Sequence, residues 1–477
     1  MAEFSDDIFF ATIKELNARL RAREFSAKEL AQAFCERLER LGPRYNALAH
    51  SLRDDAIDQA RDVDRDIKIE RLRGPLQGIP CGVKDLLSVA KHPTTWGAKP
   101  CAAQVFNYDA TAVKKLKSAG AIVTGKLAMV ELAGGGGYQT PAASLTGPGL
   151  NPWDRTKWSG GSSSGSASAV AAGLVTFALG SETSGSILTP AAFCGVTGLR
   201  PTYGYVSRYG AMALSWTMDK IGPMCRSAED CGLVLQEISG RDSDDPASAG
   251  KSFHYGPQYV REFQHITVAF APSDFDEAAA EAARPALRAA LQTILAMGFQ
   301  VREVELPDFP YGPVTGTIIG AEGSAAFEDL ITSGRVEELA DPDQVAGLKA
   351  GLEIPARDYL RAMRIRHLIQ QEFRKMFVDV NVLITPSRMS AAPPAFERFP
   401  ESDGRPAPKS RGLRSLIPAG NLAGLPALSL PCGFADGLPV GISLAARPFY
   451  ENTLLAIGAA YQRETDWHRR RPPAPEA

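Results

Sequence analysis

Residues 178–190 read A-L-G-S-E-T-S-G-S-I-L-T-P, three serines among glycines with no histidine or cysteine beside them. The run 175–179 leads into them as a short apolar segment of strand length. Gly and Ser fill turns in every globular protein, so the stretch can be a plain connection. The other reading makes one serine a nucleophile, and its proton acceptor must then come from elsewhere in the chain.

Working outward, the texture is that of a mixed α/β protein. Apolar runs at 79–83, 122–124 and 175–179 alternate with helical stretches, and more strand candidates follow at 266–269, 301–304, 382–385, 427–430 and 440–444. Strands of about five residues separated by helices predict a mainly parallel sheet flanked by helices. Residues 12–70 read as helical: Ser26-Ala-Lys-Glu29 is a capping box, with Phe25 and Leu30 placed as a hydrophobic staple. Residues 277–297 and 359–377 read as helices. The segments 241–257 and 386–412 read as irregular connections, and 306–355 as variable, loop-like cover. The expected organisation is an N-terminal helical layer over 1–70 packed on an α/β domain over 71–477, one unit overall.

The bulk numbers set limits. With 477 residues, 44% hydrophobic, 22% charged and a net charge of -2, the chain reads as an ordinary globular protein, and its charge balance points to no nucleic-acid partner. Seven scattered cysteines without a C-x-x-C pair argue against a disulfide framework. The opening M-A-E-F-S-D-D lacks a secretory pattern, and no apolar run reaches membrane-spanning length. A soluble, cytoplasmic protein is expected.

Chemistry has to be sought against several failures. No Lys follows the glycines of 159–166, so a P-loop is absent, and no dinucleotide fingerprint opens a helix. None of the six histidines, at 50, 92, 254, 265, 367 and 468, has a neighbourhood that marks it as a base. The serine elbow G-x-S-x-G does not fit Gly185-Ser186-Ile187-Leu188. Metal-ligand spacings are missing too, so no metal and no cofactor are expected. Lysine can replace histidine if burial disfavours its ammonium form. Lys84 closes the strand-like run G-I-P-C-G-V-K, but by local pattern alone a strand-end lysine reaching water is the simpler reading.

Several ordered motifs change that balance. G-V-K-D at 82–85, G-G-S-S-S-G-S at 160–166, and S-E-T-S-G-S-I at 181–187 followed by P-A-A-F-C-G-V-T-G-L-R-P-T resemble the signature of the amidase signature family. N-P-W-D at 151–154, D-x-x-G-P at 219–223, N-L-A-G-L-P at 421–426 and G-L-P-V-G at 437–441 extend the resemblance over roughly 70–445. The resemblance implies a Ser–cis-Ser–Lys triad: Ser186 as nucleophile, Ser162 as bridging serine after a cis peptide bond, and Lys84 as base. It also implies an oxyanion hole from the backbone N–H groups of Thr183, Ser184, Gly185 and Ser186. Ser181 reads as a turn residue. This chain departs from the family pattern at Glu182, Ser184 and Leu188, where Asp, Gly and Arg are usual.

For substrate, the resemblance implies a small-molecule amide, anilide or carbamate, with ester or urethane cleavage possible in some branches. One branch is the glutamine-hydrolysing component of a tRNA-dependent amidotransferase, which holds its substrate through an Arg and an Asp shortly before N-L-A-G-L-P. The lead-in here, S-R-G-L-R-S-L-I-P-A-G, has no acidic residue, which favours a free-standing amidase acting as monomer or homodimer. Gly135, Gly136, Gly137, Tyr138, Gln139 and Ser163 are the candidate pocket residues, the glycine run being placed to widen the pocket.

Overall fold

In the computed structural model, residues 4–257, 263–400 and 410–474 are described. The strands are β1 Leu48–Ser51, β2 Pro80–Lys84, β3 Ile122–Leu127, β4 Leu150–Asn151, β5 Asp154–Trp158, β6 Phe177–Glu182 and β7 Thr197–Arg200. They continue as β8 Lys220–Cys225, β9 Thr267–Phe270, β10 Gln300–Glu303, β11 Val382–Pro386, β12 Ala427–Ala435 and β13 Leu438–Ala446. Eleven of them form one sheet in the order β1-β3-β2-β6-β8-β7-β12-β13-β11-β9-β10, while β4 and β5 make a separate pair. The sheet is mixed, and the parallel pairing that the alternation of elements predicts occurs in two blocks. Parallel pairing runs through β3-β2-β6 and again through β11-β9-β10, and the strands between these blocks pair antiparallel. Strands β2, β3, β6 and β11 are buried throughout, which is why their apolar parts read as runs without alternation. β8 is buried throughout as well but is not among the predicted strands.

The N-terminal helices Ile13–Arg21, Ala27–Leu41 and Arg53–Lys68 lie against this sheet. The first two begin on complete capping boxes, Thr12 with Glu15 and Ser26 with Glu29. Their apolar stripes, including Leu16, Leu20, Leu30 and Phe34, join one buried cluster with Ile79, Val83 and Val123. The helical reading of 12–70 needs one correction: β1 interrupts it, because 48–51 pairs with β3 at the sheet edge. The segment 306–355 is likewise helical, over Tyr311–Ala326, Glu328–Thr332 and Pro342–Leu352. Its Gly and Pro content suggested loops, but the buried faces of these helices outweigh local propensity. The reading of 386–412 as irregular falls partly on 401–409, outside the described residues.

The serine-rich stretch Ser164–Ala171 is a short helix buried along its whole length. Its small side chains allow close packing on backbone: a Cβ on Gly165 would lie 2.5 Å from Ala128 N and from Ala47 O. Its hydroxyls are satisfied by carbonyls, Ser166 Oγ donating to Leu179 O at 3.0 Å and Ser168 Oγ to Leu150 O at 2.9 Å. Phe34 is fully buried and stacks edge-on against Phe9 at 5.1 Å between ring centres. Phe34→Ala is expected to destabilise the protein by about 3–5 kcal/mol through the cavity it leaves, read as a lowered midpoint in urea unfolding.

Candidate active site

Strands β2 and β6 are parallel neighbours, so their C-terminal ends lie side by side. Lys84 is the last residue of β2 and is fully buried. Its Nζ lies 2.7 Å from Ser162 Oγ and 2.9 Å from Ser181 Oγ. Burial pushes its ammonium pKa down to about 7, against a smaller opposing pull from Asp219 and Glu182. Ser181 is therefore no turn residue: it belongs to β6, and its hydroxyl contacts the lysine. The spacing of serines in the sequence carried no sign of this, because the contact depends on which strand lies next to β2.

Ser162 sits between β5 and the buried helix, and the Gly161–Ser162 peptide is cis. Ser186 lies in the turn joining β6 to the helix Leu188–Cys194, with Gly185 before it at φ 89°, a conformation glycine adopts without a Cβ clash. The Ser163 N–H donates to Ser186 O at 3.3 Å, which ties the two serine loops together. Lys84 and the loops carrying Ser162 and Ser186, distant in sequence, thus meet at the C-terminal ends of the interior strands β2 and β6. Among the described residues the N–H groups of Thr183, Ser184, Gly185 and Ser186 have no hydrogen-bond acceptor, so this turn presents free donors.

The turn is braced from below by Glu182. Its Oε2 accepts the N–H groups of Ile187 and Leu188 at 2.9 and 3.0 Å, and its Oε1 accepts Arg200 Nη1 at 2.9 Å and Asn421 Nδ2 at 2.8 Å. Burial by itself would raise this carboxyl, but Arg200 and the hydrogen bonds from Asn421 and Ile187 hold it at about 2. Thr183 Oγ1 donates to Asp219 Oδ1 at 2.6 Å, and the same aspartate caps the N–H groups of Leu214 and Ser215. Arg200 and Asn421 escaped the sequence reading. Both stand in quoted motifs, G-L-R-P-T and N-L-A-G-L-P, and a residue type able to pair with Glu182 was the available signal.

Ser184, Gly185 and Ser186 open on a cavity of about 910 Å³. Tyr138, Trp158, Phe193 and Phe399 line one part of it, Leu188, Leu416 and Ile417 another, and Arg200, Arg388 and Arg414 supply its charges. Of the pocket residues expected from sequence, Tyr138 alone is among those lining this cavity. The glycine run does not widen it. Gly136 backs onto the helix Pro342–Leu352, where a Cβ would come within 2.5 Å of Gln344 O, and Gly135 faces Leu214 and Phe327. Gly137 turns back, its N–H donating to Gly134 O at 3.0 Å, and the Gln139 N–H donates to Asp341 Oδ2 at 2.7 Å. Ser163 lies beneath the site, its hydroxyl donating to Ser181 O at 3.1 Å. These residues hold the wall that carries Tyr138 and contribute no surface of their own.

A cavity-facing serine turn beside a buried lysine–serine contact, on a mixed sheet with these motifs, defines an enzyme of the amidase class acting on carbon–nitrogen bonds. The protein-family model Amidase matches residues 29–455, and the chain belongs to that family, the amidase signature enzymes. One relative is the A-type component of the glutamyl-tRNA(Gln) amidotransferase of Synechococcus sp. (strain JA-2-3B'a(2-13)). The two are 37% identical over 489 residues, covering 97% of this chain and 94% of that one. The fold is similar to that of the native peptide amidase from Stenotrophomonas maltophilia, with a TM-score of 0.82, 30% identity, and 97% and 98% of the two chains covered. It is similar also to a structure described as a vestigial protein complex revealing the evolutionary origins of an s-triazine catabolic enzyme, with a TM-score of 0.87, 29% identity, and 97% and 100% covered.

Removing one partner of a buried ion pair strands the other charge. Glu182→Ala is expected to cost about 3–5 kcal/mol of stability by leaving Arg200 unpaired, read by chemical denaturation.

Proposed function

We propose that the chain is a free-standing serine hydrolase that cleaves amide, anilide or carbamate C–N bonds through an acyl-enzyme on Ser186. The observation that carries this reading is the fully buried Lys84, 2.7 Å from Ser162 Oγ, with no ion-pair partner among the described residues and a pKa lowered by burial to about 7. A lysine in that state is about half neutral at pH 7, and its neutral form can act as a base. Neutral Lys84 takes the Ser162 proton as Ser162 takes that of Ser186, and Ser186 Oγ bonds to the substrate carbonyl carbon. The oxyanion is received by the free N–H groups of 183–186, each such donor being worth on the order of 3 kcal/mol. Collapse breaks the C–N bond while the relay returns the proton to the leaving nitrogen, and water then releases the acyl group.

A second reading has its own support. The 37% identity to an amidotransferase component over nearly the whole chain favours a glutamine-hydrolysing member of a larger complex. Against it stands the cavity: no aspartate or glutamate of the described residues lines it, so nothing there would receive the α-ammonium of glutamine. The isolated chain releasing chromophore from a panel of nitroanilides and aryl carbamates supports the first reading. Ammonia from glutamine, with no turnover of that panel, supports the second.

A fluorophosphonate probe is expected to label the unaltered protein, to fail on Ser186→Ala, and to react about 100-fold more slowly with Lys84→Ala, within the range of general-base contributions. Labelling that survives Ser186→Ala would overturn the assignment. The base must be deprotonated to work, so kcat/KM is expected to rise about tenfold per pH unit below about 7 and to level off above it. A flat profile between pH 5 and 9 would remove Lys84 from the role.

A further inference from the structure

The cavity beside Ser186 holds three arginines and, among the described residues, no acid. Arg200 is committed to Glu182. Arg388 and Arg414 form no ion pair among the described residues. The Arg388 guanidinium carbon stands 6.0 Å from the centre of the Phe193 ring. Phe193 belongs to the helix that follows the Ser186 turn, which places this charge within reach of the reacting end of the cavity. Arg414 uses Nη1 to donate to the carbonyls of Ser410 and Arg411, both at 2.6 Å, leaving its other nitrogens free of protein acceptors among the described residues. Asp274 is the acid nearest in effect to Arg414: its carboxyl feels the Arg414 charge and accepts the Arg414 backbone N–H, but forms no ion pair with the guanidinium. Its Oδ2 accepts the Leu413 N–H at 2.7 Å and Thr385 Oγ1 at 3.1 Å, and burial pushes it up to about 6.

Arg388 is exposed and Arg414 half-buried, so both guanidinium groups stay hydrated at the cavity wall, and neither is engaged in an ion pair among the described residues that an anion would have to break. Their planar donor forks suit a carboxylate in particular. The absence of an acid among the described lining residues selects in the opposite direction, against a substrate carrying a free ammonium. The volume, about 910 Å³, holds a small substrate with room for a ring or chain between its ends.

We propose that the substrate of this cavity is an acid amide or acid carbamate: a molecule whose carboxylate is held by Arg388 and Arg414 while its carbonyl is presented to Ser186, its body lying along Tyr138, Trp158, Phe193 and Phe399, with no free amino group. The proposal rests on the hydrolase reading only in taking Ser186 as the reacting end. Specificity thus comes from the segments after β11 and before N-L-A-G-L-P, and Arg414 occupies the lead-in where the amidotransferase pattern leads one to seek an acid.

Binding is measured by titration calorimetry on Ser186→Ala protein, which keeps the ligand intact, at low salt. The probes are glutaramate and 4-carbamoylbenzoate, each against its uncharged diamide. At least one acid amide is expected to bind tenfold or more tightly than its diamide. Arg388→Gln and Arg414→Gln, each confirmed folded by circular dichroism, are expected to cut that preference about tenfold, while Arg388→Lys keeps part of it. Diamides that bind as well as the acids, or a preference that survives both Gln variants, would overturn the proposal. Fluorophosphonate labelling of the unaltered protein separates the two readings. Labelling without carboxylate preference sinks the substrate class and leaves the hydrolase; carboxylate preference without labelling does the reverse.

Discussion

The carboxylate of Glu182 is the point on which the site is assembled. It ends β6, receives the two N–H groups that begin the helix after Ser186, and pairs with Arg200 at the end of β7 and Asn421 in N-L-A-G-L-P. Four chain segments therefore share one buried charge. A buried ion pair is weak evidence for stability as such, because desolvation cancels much of its attraction. Its consequence here is geometric: with its oxygens directed at fixed partners, the turn 183–187 is held in one conformation, and Ser184, Gly185 and Ser186 line the cavity. Glutamate in place of the usual aspartate is compatible with this role, since all four contacts are within 3.0 Å.

The second constraint is the burial of Lys84. A lysine at a strand end normally extends to water, and here the buried helix Ser164–Ala171 and the serine loops close over it. What the protein gains is a nitrogen whose neutral form is accessible near pH 7, held by two serine hydroxyls and no carboxylate. The same logic, a cation kept without a paired acid, recurs in the cavity at Arg388 and Arg414. In the first case desolvation favours the neutral amine. In the second, no acid among the described lining residues is there to compete for an anion.

Much of the architecture was legible because it depends on short-range patterning. The capping box at Ser26, the helix near 359–377, found over Ala356–Asp379, and the buried strands β2, β3, β9, β11 and β13 all announce themselves through spacing and apolar runs. Strands β1, β7 and β8 were not legible. β1 is half-buried at an edge, and β7 and β8 carry charged residues, Arg200, which is buried against Glu182 and the Leu425 carbonyl, and Lys220, which donates to the Met218 carbonyl. The loop-like reading of 306–355 failed for a related reason: glycines and prolines are tolerated where helix packing supplies what propensity withholds.

The sequence by itself determined the family and the α/β class, and it singled out Lys84, Ser162 and Ser186, because ordered motifs survive as strings whatever surrounds them. Tertiary structure alone decided that Lys84 is dry, that Ser181 touches it, that Glu182 ties Arg200 to Asn421, and that the glycine run at 134–137 turns away from the cavity while Arg388 and Arg414 line it. The physical reason is that charge state and hydrogen-bond partnership depend on solvent exclusion and on through-space distance, neither of which is encoded in any one segment of the chain.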